Sequence, residues 1–212
     1  MKLHLGCGET YLEGYQNIDY LPSKHTVQTK GRADEYADIR ELAYAPASVE
    51  EIRLHHVFEH FTRPVALALL TAWNAWLEPG GTLRIEVPDF DRTARRVLWP
   101  LTSEKRRGVA LRHIFGSQEA PWAVHFEGWS RKRLERTVGA FGFQPSKRRK
   151  NHFMGTYNID ISFSRTTPLT VQEARSTASG LLSMCLVGEE TKILDVWMDA
   201  YDEQVRKSWP PE

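Results

Sequence analysis

Long apolar runs are missing from this chain. No stretch of its 212 residues approaches the roughly 18 apolar positions that a membrane-spanning helix needs. Cysteine is scarce. Cys7 and Cys185 stand far apart, which argues against a cysteine-ligated metal site and against a disulfide scaffold. An excess of one charge is missing too. The 28 Lys and Arg nearly balance 27 Asp and Glu, so the formal net charge is +1 and no global field gathers nucleic acid or an anionic membrane. No repeat or low-complexity tract interrupts the pattern, which sets solenoids and linkers aside. Met1 to Gly8 offers too short an apolar stretch for a secretory leader. The expectation is a reduced cytoplasmic protein, long enough for one well-filled core.

What is there reads as alternating strands and helices. Lys2 to Leu5 forms a short strand before the turn Gly6-Cys7-Gly8, and Tyr15 to Ile18 a second that ends at Asp19. A polar loop runs through Arg32, and an extended segment leads into Asp38. Ser48 to Val57 reads as a buried strand. Pro64 suits the first turn of a helix on which Leu69, Leu70, Trp73 and Leu77 share a face, with Pro79-Gly80-Gly81 as its stop. Leu83, Ile85 and Val87 alternate as a strand, and Ser130 caps a helix carrying Leu134, Val138 and Phe141. Lys147 to Phe153 and Tyr157 to Phe163 form a closing pair. The pattern predicts a mostly parallel sheet with helices on both faces over residues 1–165. Thr170 with Glu173 forms a capping box, and Ile193, Trp197, Tyr201 and Val205 step along a second helix. Residues 166–212 are therefore expected to be a helical appendage, either packed on the sheet's flank or forming a homodimer contact.

Three short motifs carry binding chemistry. Gly6 and Gly8 leave room for a ligand against the backbone at a strand end. Asp19, closing Asn17-Ile18-Asp19, is placed to accept both ribose hydroxyls of a nucleoside. Asp38 and Ile39 offer an acid and an apolar residue to an adenine. Each is weak alone, and a plain turn explains any one of them. Their order and spacing make the set informative.

The set resembles the class I S-adenosylmethionine-dependent methyltransferases, in the group of small methyltransferases of the methyltransferase-11 type. The matching residues are Leu5-Gly6-Cys7-Gly8, Asn17-Ile18-Asp19, Ala37-Asp38-Ile39, His55-His56-Val57-Phe58-Glu59-His60 and Leu77-Glu78-Pro79-Gly80-Gly81-Thr82-Leu83, and the likeness covers about residues 2–165. It implies a Rossmann-like seven-stranded sheet with the last strand antiparallel and S-adenosyl-L-methionine as cofactor. It places Gly6, Cys7 and Gly8 at the methionine part, Asp19 at the ribose, Asp38 and Ile39 at the adenine, and His55 and His56 beside the transferring methyl. One departure is plain. Only ten residues separate Gly8 from Asp19, too few for the usual full helix there.

The acceptor is expected to be a small molecule or glycan precursor, methylated on oxygen. Glu59 and His60 at the pocket mouth, and His125 from the segment expected to lie over it, are the candidate bases. N- or C-methylation, RNA methylation and a noncatalytic nucleoside-binding module are the alternatives. Within Pro88 to Trp129, Asp89, Asp91, Arg92, Arg112, His113, Trp122 and Trp129 offer a stacking and polar surface. No metal is expected. His56 to His60 matches the H-x-x-E-H zinc pattern, but that pattern needs a helix and this segment straddles a strand end. Asp89 and Asp91 lack a third ligand. Nucleic acid is not expected either, since Lys147 to Lys150 is the lone basic run and reads as a solvated strand.

Overall fold

A computed structural model describes residues 1–27, 30–153 and 155–210. Residues 28–29 of the expected loop and 211–212 of the expected appendage lie outside the described residues. Among the described residues, seven strands form one sheet in the order β3-β2-β1-β4-β5-β7-β6. They are β1 (Lys2–Leu5), β2 (Gln16–Asp19), β3 (Glu35–Tyr36), β4 (Val49–His55), β5 (Leu77–Pro88), β6 (Phe143–Phe153) and β7 (Thr156–Arg165). The first five pair in parallel, and β7 runs antiparallel between β5 and β6. This is the expected sheet, last strand included.

Among the described residues, six helices accompany it: α1 (Arg63–Trp76), α2 (Phe90–Leu98), α3 (Glu104–Phe115), α4 (Arg131–Ala140), α5 (Val171–Ser183) and α6 (Thr191–Ser208). The expectation of helices on both faces is corrected. Right-handed crossovers put the β1–β2 and β2–β3 connections over one face and the β4–β5 connection over the other. Over the first face, the described residues hold a single 3-10 turn, Pro22–Lys24. The residues pointing there are accordingly polar. His4, Arg53, Arg84 and Ser162 sit side by side in register across β1, β4, β5 and β7. Arg84 and Arg149 both pair with buried Asp160. The alternating residues Leu3, Leu5, Ile52, Leu54, Leu83, Ile85, Ile161 and Phe163 face the other way into a continuous apolar core with α1, α4, α5 and α6.

The short β1–β2 connection is held by a side chain in place of a helix. Buried Asn17 donates to the Leu12 and Tyr15 carbonyls and accepts from Leu12 N–H, so the loop's backbone polar groups are met locally. Two local boundaries differ from expectation. The helix stops at Trp76, before Pro79-Gly80-Gly81, because Leu77 already adopts extended backbone and starts β5. Residues 88–129, read without elements, contain α2 and α3.

The C-terminal helices are built into the core. Tyr201 is fully buried, and its hydroxyl meets Thr71 of α1 at 2.8 Å. Trp76 Nε1 donates to the Ser208 carbonyl at 3.0 Å. Gln204 and Ser208 donate to the Arg40 carbonyl. Of the α6 stripe, Tyr201 and Val205 are thus spent inside this chain, while Ile193 stays exposed. Tyr201→Ala is expected to cost about 3–5 kcal/mol, as for other large core truncations. Urea unfolding reads this as a lower midpoint at unchanged slope, and a loss below 1 kcal/mol would make α6 peripheral.

Candidate active site

The sheet order reverses between β1 and β4, with β2 to one side and β5 to the other. Crevices at such reversals, beyond the carboxyl ends of the strands, are where open α/β sheets bind ligands. Here one wall is the turn after β1. Gly6 has φ +69°, and a Cβ on it would lie 2.3 Å from Val57 Cγ2, so only glycine fits between β1 and the end of β4. Gly6 and Cys7 N–H both donate to the Ile18 carbonyl. Asp19 at the end of β2 accepts through Oδ2 from Gly8 N–H and through Oδ1 from Tyr20 N–H at 2.7 Å. His25 Nε2 lies 3.3 Å from Asp19 Oδ1. Trp122, from beyond α3, packs edge-on to His25 and donates to the Lys24 carbonyl. The Cys7 thiol is buried, and burial and then Asp19 push its pKa up to about 12. Cys7 therefore contributes backbone to the turn and no nucleophile.

The opposite wall collects histidines. His56, just past β4, takes the left-handed conformation with φ 55°, as do Ala47 and Gln118 elsewhere in the chain. Its Nδ1 donates to Glu59 Oε1 at 3.2 Å, and its Nε2 lies 3.9 Å from Glu86 Oε1. Glu59 and His60 sit on the 3-10 turn Phe58–His60. His60 Nδ1 lies 3.0 Å from the Val124 carbonyl, and its ring meets His125 edge to face at 4.7 Å. His125 Nε2 is 3.9 Å from Glu59 Oε1. Phe126 and Glu127 N–H both donate to the Glu59 carbonyl, which fastens the loop after α3 to this turn. His55 is more exposed and pairs with Glu86 at 3.1 Å.

Glu59 is wholly buried. Burial is the largest influence on it and favours the neutral acid, but the His56 hydrogen bond and the charges of His56, His60 and His125 outweigh that and hold its pKa below the ordinary value. Burial likewise pushes His56 down, and Glu59 and Glu86 more than reverse it, so its pKa is raised. A raised histidine contributes stability below its unfolded pKa and loses it as pH rises through the folded value. His4, His113 and His125 are depressed by burial and act only below about 6.5. Stability is therefore expected to fall as pH climbs from about 6.5 through the raised His56 value, and Glu59→Gln should flatten that decline. Urea midpoints from pH 6 to 9 check this; a decline equal in both proteins would show that the pair is not its cause.

No family model matches the sequence, and no curated protein does. Solved structures do. The methyltransferase solved in complex with the Haloferax volcanii Trm112 methyltransferase activator superposes at a TM-score of 0.55 with 13% identity, covering 80% of this chain and 83% of its own. A SAM-dependent methyltransferase from Methanosarcina mazei gives 0.53 with 12% identity, covering 78% and 92%. The 1,6-didemethyltoxoflavin-N1-methyltransferase of Burkholderia thailandensis, solved with 1,6-didemethyltoxoflavin and S-adenosylhomocysteine, gives 0.51 with 13% identity, covering 78% and 71%. This chain has the class I methyltransferase fold.

Within the methyltransferase fold the residues singled out by sequence divide into three groups. Gly6, Cys7, Gly8 and Asp19 come together at one wall of the crevice. His55, His56, Glu59, His60 and His125 come together at the other. The adenine pair is less simple. Asp38 caps the 3-10 turn Ile39–Glu41, and Arg40 grips both of its oxygens. Ile39 is a core residue. Of the insert residues, Trp129 is buried in a stack on Phe58, and Asp89 caps α2. In the basic run Arg148 pairs with Glu135 and Arg149 with Asp160, which splits it between the two faces of the sheet. Sequence reasoning overlooked Tyr20, His25 and Glu86. No local pattern marks them; Tyr20 directly follows Asp19, and the Asp38 charge helps burial raise its pKa, so it lies near both acids. A cavity of about 350 Å³ lies between α1, α4 and α5, lined by Arg63, Glu127, Arg133 and Leu182, but none of the glycine-turn or Asp19 residues reaches it.

Proposed function

We propose that the chain binds S-adenosyl-L-methionine and transfers its methyl group to a small-molecule or glycan-precursor acceptor, to oxygen in preference to nitrogen or carbon. The observation that carries this reading is the pairing of Asp19 with the Gly6–Gly8 turn across a switch-point crevice from the His56–Glu59–His60–His125 cluster, in a fold shared with methyltransferases. The Asp19 carboxylate takes the ribose hydroxyls. Tyr20 and Asp38 form the adenine rim, and the glycine turn lets the methionine chain lie against the backbone. His55 and His56 flank the sulfonium.

In the reaction, the acceptor oxygen forms a bond to the methyl carbon as the sulfur–carbon bond breaks. The bonding pair returns to sulfur and leaves S-adenosylhomocysteine. The acceptor's proton passes to the His and Glu cluster, where a well-placed base is worth about 10²–10⁴-fold. Fixing the two reactants in the crevice supplies much of the remaining acceleration. Cytoplasmic residence suits this reading, and none of the described helices is long and apolar enough to cross a membrane. Incubation with methyl-labelled cofactor and fractionated cell extract, followed by mass spectrometry of what gains label, tests it. Binding of S-adenosylhomocysteine with no label transferred to any fraction would favour a noncatalytic nucleoside-binding module. No binding at all would sink both.

A further inference from the structure

We propose that Glu59, His60 and His125 form a binding site for a divalent transition-metal ion. Their ligand atoms lie within 4.8 Å of one another, although His125 is 65 positions beyond His60 in the chain. Two imidazoles and one carboxylate are a donor set suited to zinc, iron(II), manganese or cobalt.

Three details point to an ion rather than to a simple hydrogen-bond cluster. Glu59 is fully buried, and while Oε1 accepts from His56, Oε2 has no partner. An unmet oxygen on a buried carboxylate is costly, and a cation would satisfy it. His60 donates from Nδ1 to the Val124 carbonyl, which leaves the Nε2 lone pair free as a ligand. Metal-bound histidines are commonly held by such a bond from their second nitrogen. Third, His125 Nε2 stands 3.9 Å from Glu59 Oε1, too far for a hydrogen bond, so Glu59 does not engage that nitrogen. Two ligands at about 2.1 Å from one ion sit about 3.0–3.4 Å apart, so binding would draw together ligand atoms that now lie within 4.8 Å of one another. The backbone bonds from Phe126 and Glu127 to the Glu59 carbonyl already hold the two segments together.

The neighbouring set His55, His56 and Glu86 has similar spacing but is accounted for without an ion. Its Glu86 Oε1 already accepts from Asn151 and Asn158, and Glu86, unlike Glu59, has no buried oxygen without a partner. The sequence expectation of no metal rested on the H-x-x-E-H pattern needing a helix. The proposed set instead takes Glu59 and His60 from that segment, leaves out His56 and adds His125 from a distant loop.

Metal binding rests on these side chains alone. Its role in catalysis rests additionally on the proposed methyl transfer: an acceptor hydroxyl on the ion would ionise near neutral pH. Glu59, His60 and His125 would then be ligands rather than bases.

The test is calorimetric titration of chelator-stripped, full-length protein with zinc, manganese and cobalt(II) salts, with the cobalt visible spectrum as a second readout. One equivalent is expected to bind, with an intense tetrahedral or five-coordinate cobalt spectrum. His60→Ala and His125→Ala should each weaken binding about 100-fold and change the spectrum, while exposed His152→Ala leaves both unchanged. His60→Gln and His125→Gln, checked for cooperative unfolding, stand in for alanine variants that misfold. Stoichiometric binding that survives loss of either histidine, or no binding tighter than that of a denatured control, overturns the proposal. Parallel titration with S-adenosylhomocysteine separates the two readings: nucleoside binding without metal binding sinks only this site, and metal binding without nucleoside binding sinks only the methyl-transfer reading.

Discussion

Asp19→Ala is expected to weaken binding of S-adenosylmethionine or S-adenosylhomocysteine by about 2–4 kcal/mol, roughly 30- to 1000-fold in Kd. Two charge-assisted hydrogen bonds to the ribose would be lost together, and such bonds are about twice as strong as neutral ones. The carboxylate also receives Gly8 N–H and Tyr20 N–H, so its removal loosens the turn that faces the methionine. Asp19→Asn separates these parts, because it keeps the shape and one acceptor but not the charge; its loss should be smaller. Calorimetry on both variants, with thermal unfolding to confirm that they are folded, measures this. An unchanged dissociation constant in Asp19→Ala would reduce the residue to a turn former and remove the observation on which the function rests.

The legibility of this wall in the sequence has a physical cause. Gly6, Gly8 and Asp19 act through backbone conformation and a strand end, both of which are local in the chain. The sheet is legible for the same reason: alternation in β4, β5 and β7 is a property of adjacent residues. What the sequence did not show is set by contacts across long separations. His25 meets Asp19 across a loop, and Trp122 reaches the same place from beyond α3, about a hundred positions later. The polar face is an intermediate case. The shortness of the Gly8–Asp19 connection announces a missing helix, yet its consequence, a row of His4, Arg53 and Arg84 with no helical layer over it among the described residues, needs the strand order to be known. The sequence left the C-terminal helices open between flank packing and a dimer contact because a stripe such as Tyr201 and Val205 looks alike whether it meets its own core or a second chain. Only the Thr71–Tyr201 and Trp76–Ser208 contacts decide for the core.

The largest kinetic effect is expected at His60 and His125. At least one of His60→Ala and His125→Ala should cut turnover by about 10²-fold or more, whether the side chain takes the acceptor proton itself or holds the ion that acidifies it. Neither touches the glycine turn or Asp19, so affinity for S-adenosylhomocysteine should stay within about twofold of the parent, far short of a tenfold change. The split between an altered rate and an unaltered cofactor constant is the diagnostic part, since a general loss of structure would lower both. His60 is the sharper probe: its Nδ1 is committed to Val124, which leaves one nitrogen for chemistry. Added metal distinguishes the two accounts. Restoring activity to His60→Ala with high zinc or manganese identifies a ligand, whereas a defect indifferent to metal identifies a base. If both variants turn over at the parent rate with an identified acceptor, the proton leaves by another route. Deprotonation would then fall to His56, whose left-handed backbone and hydrogen bond to Glu59 place it beside the same crevice.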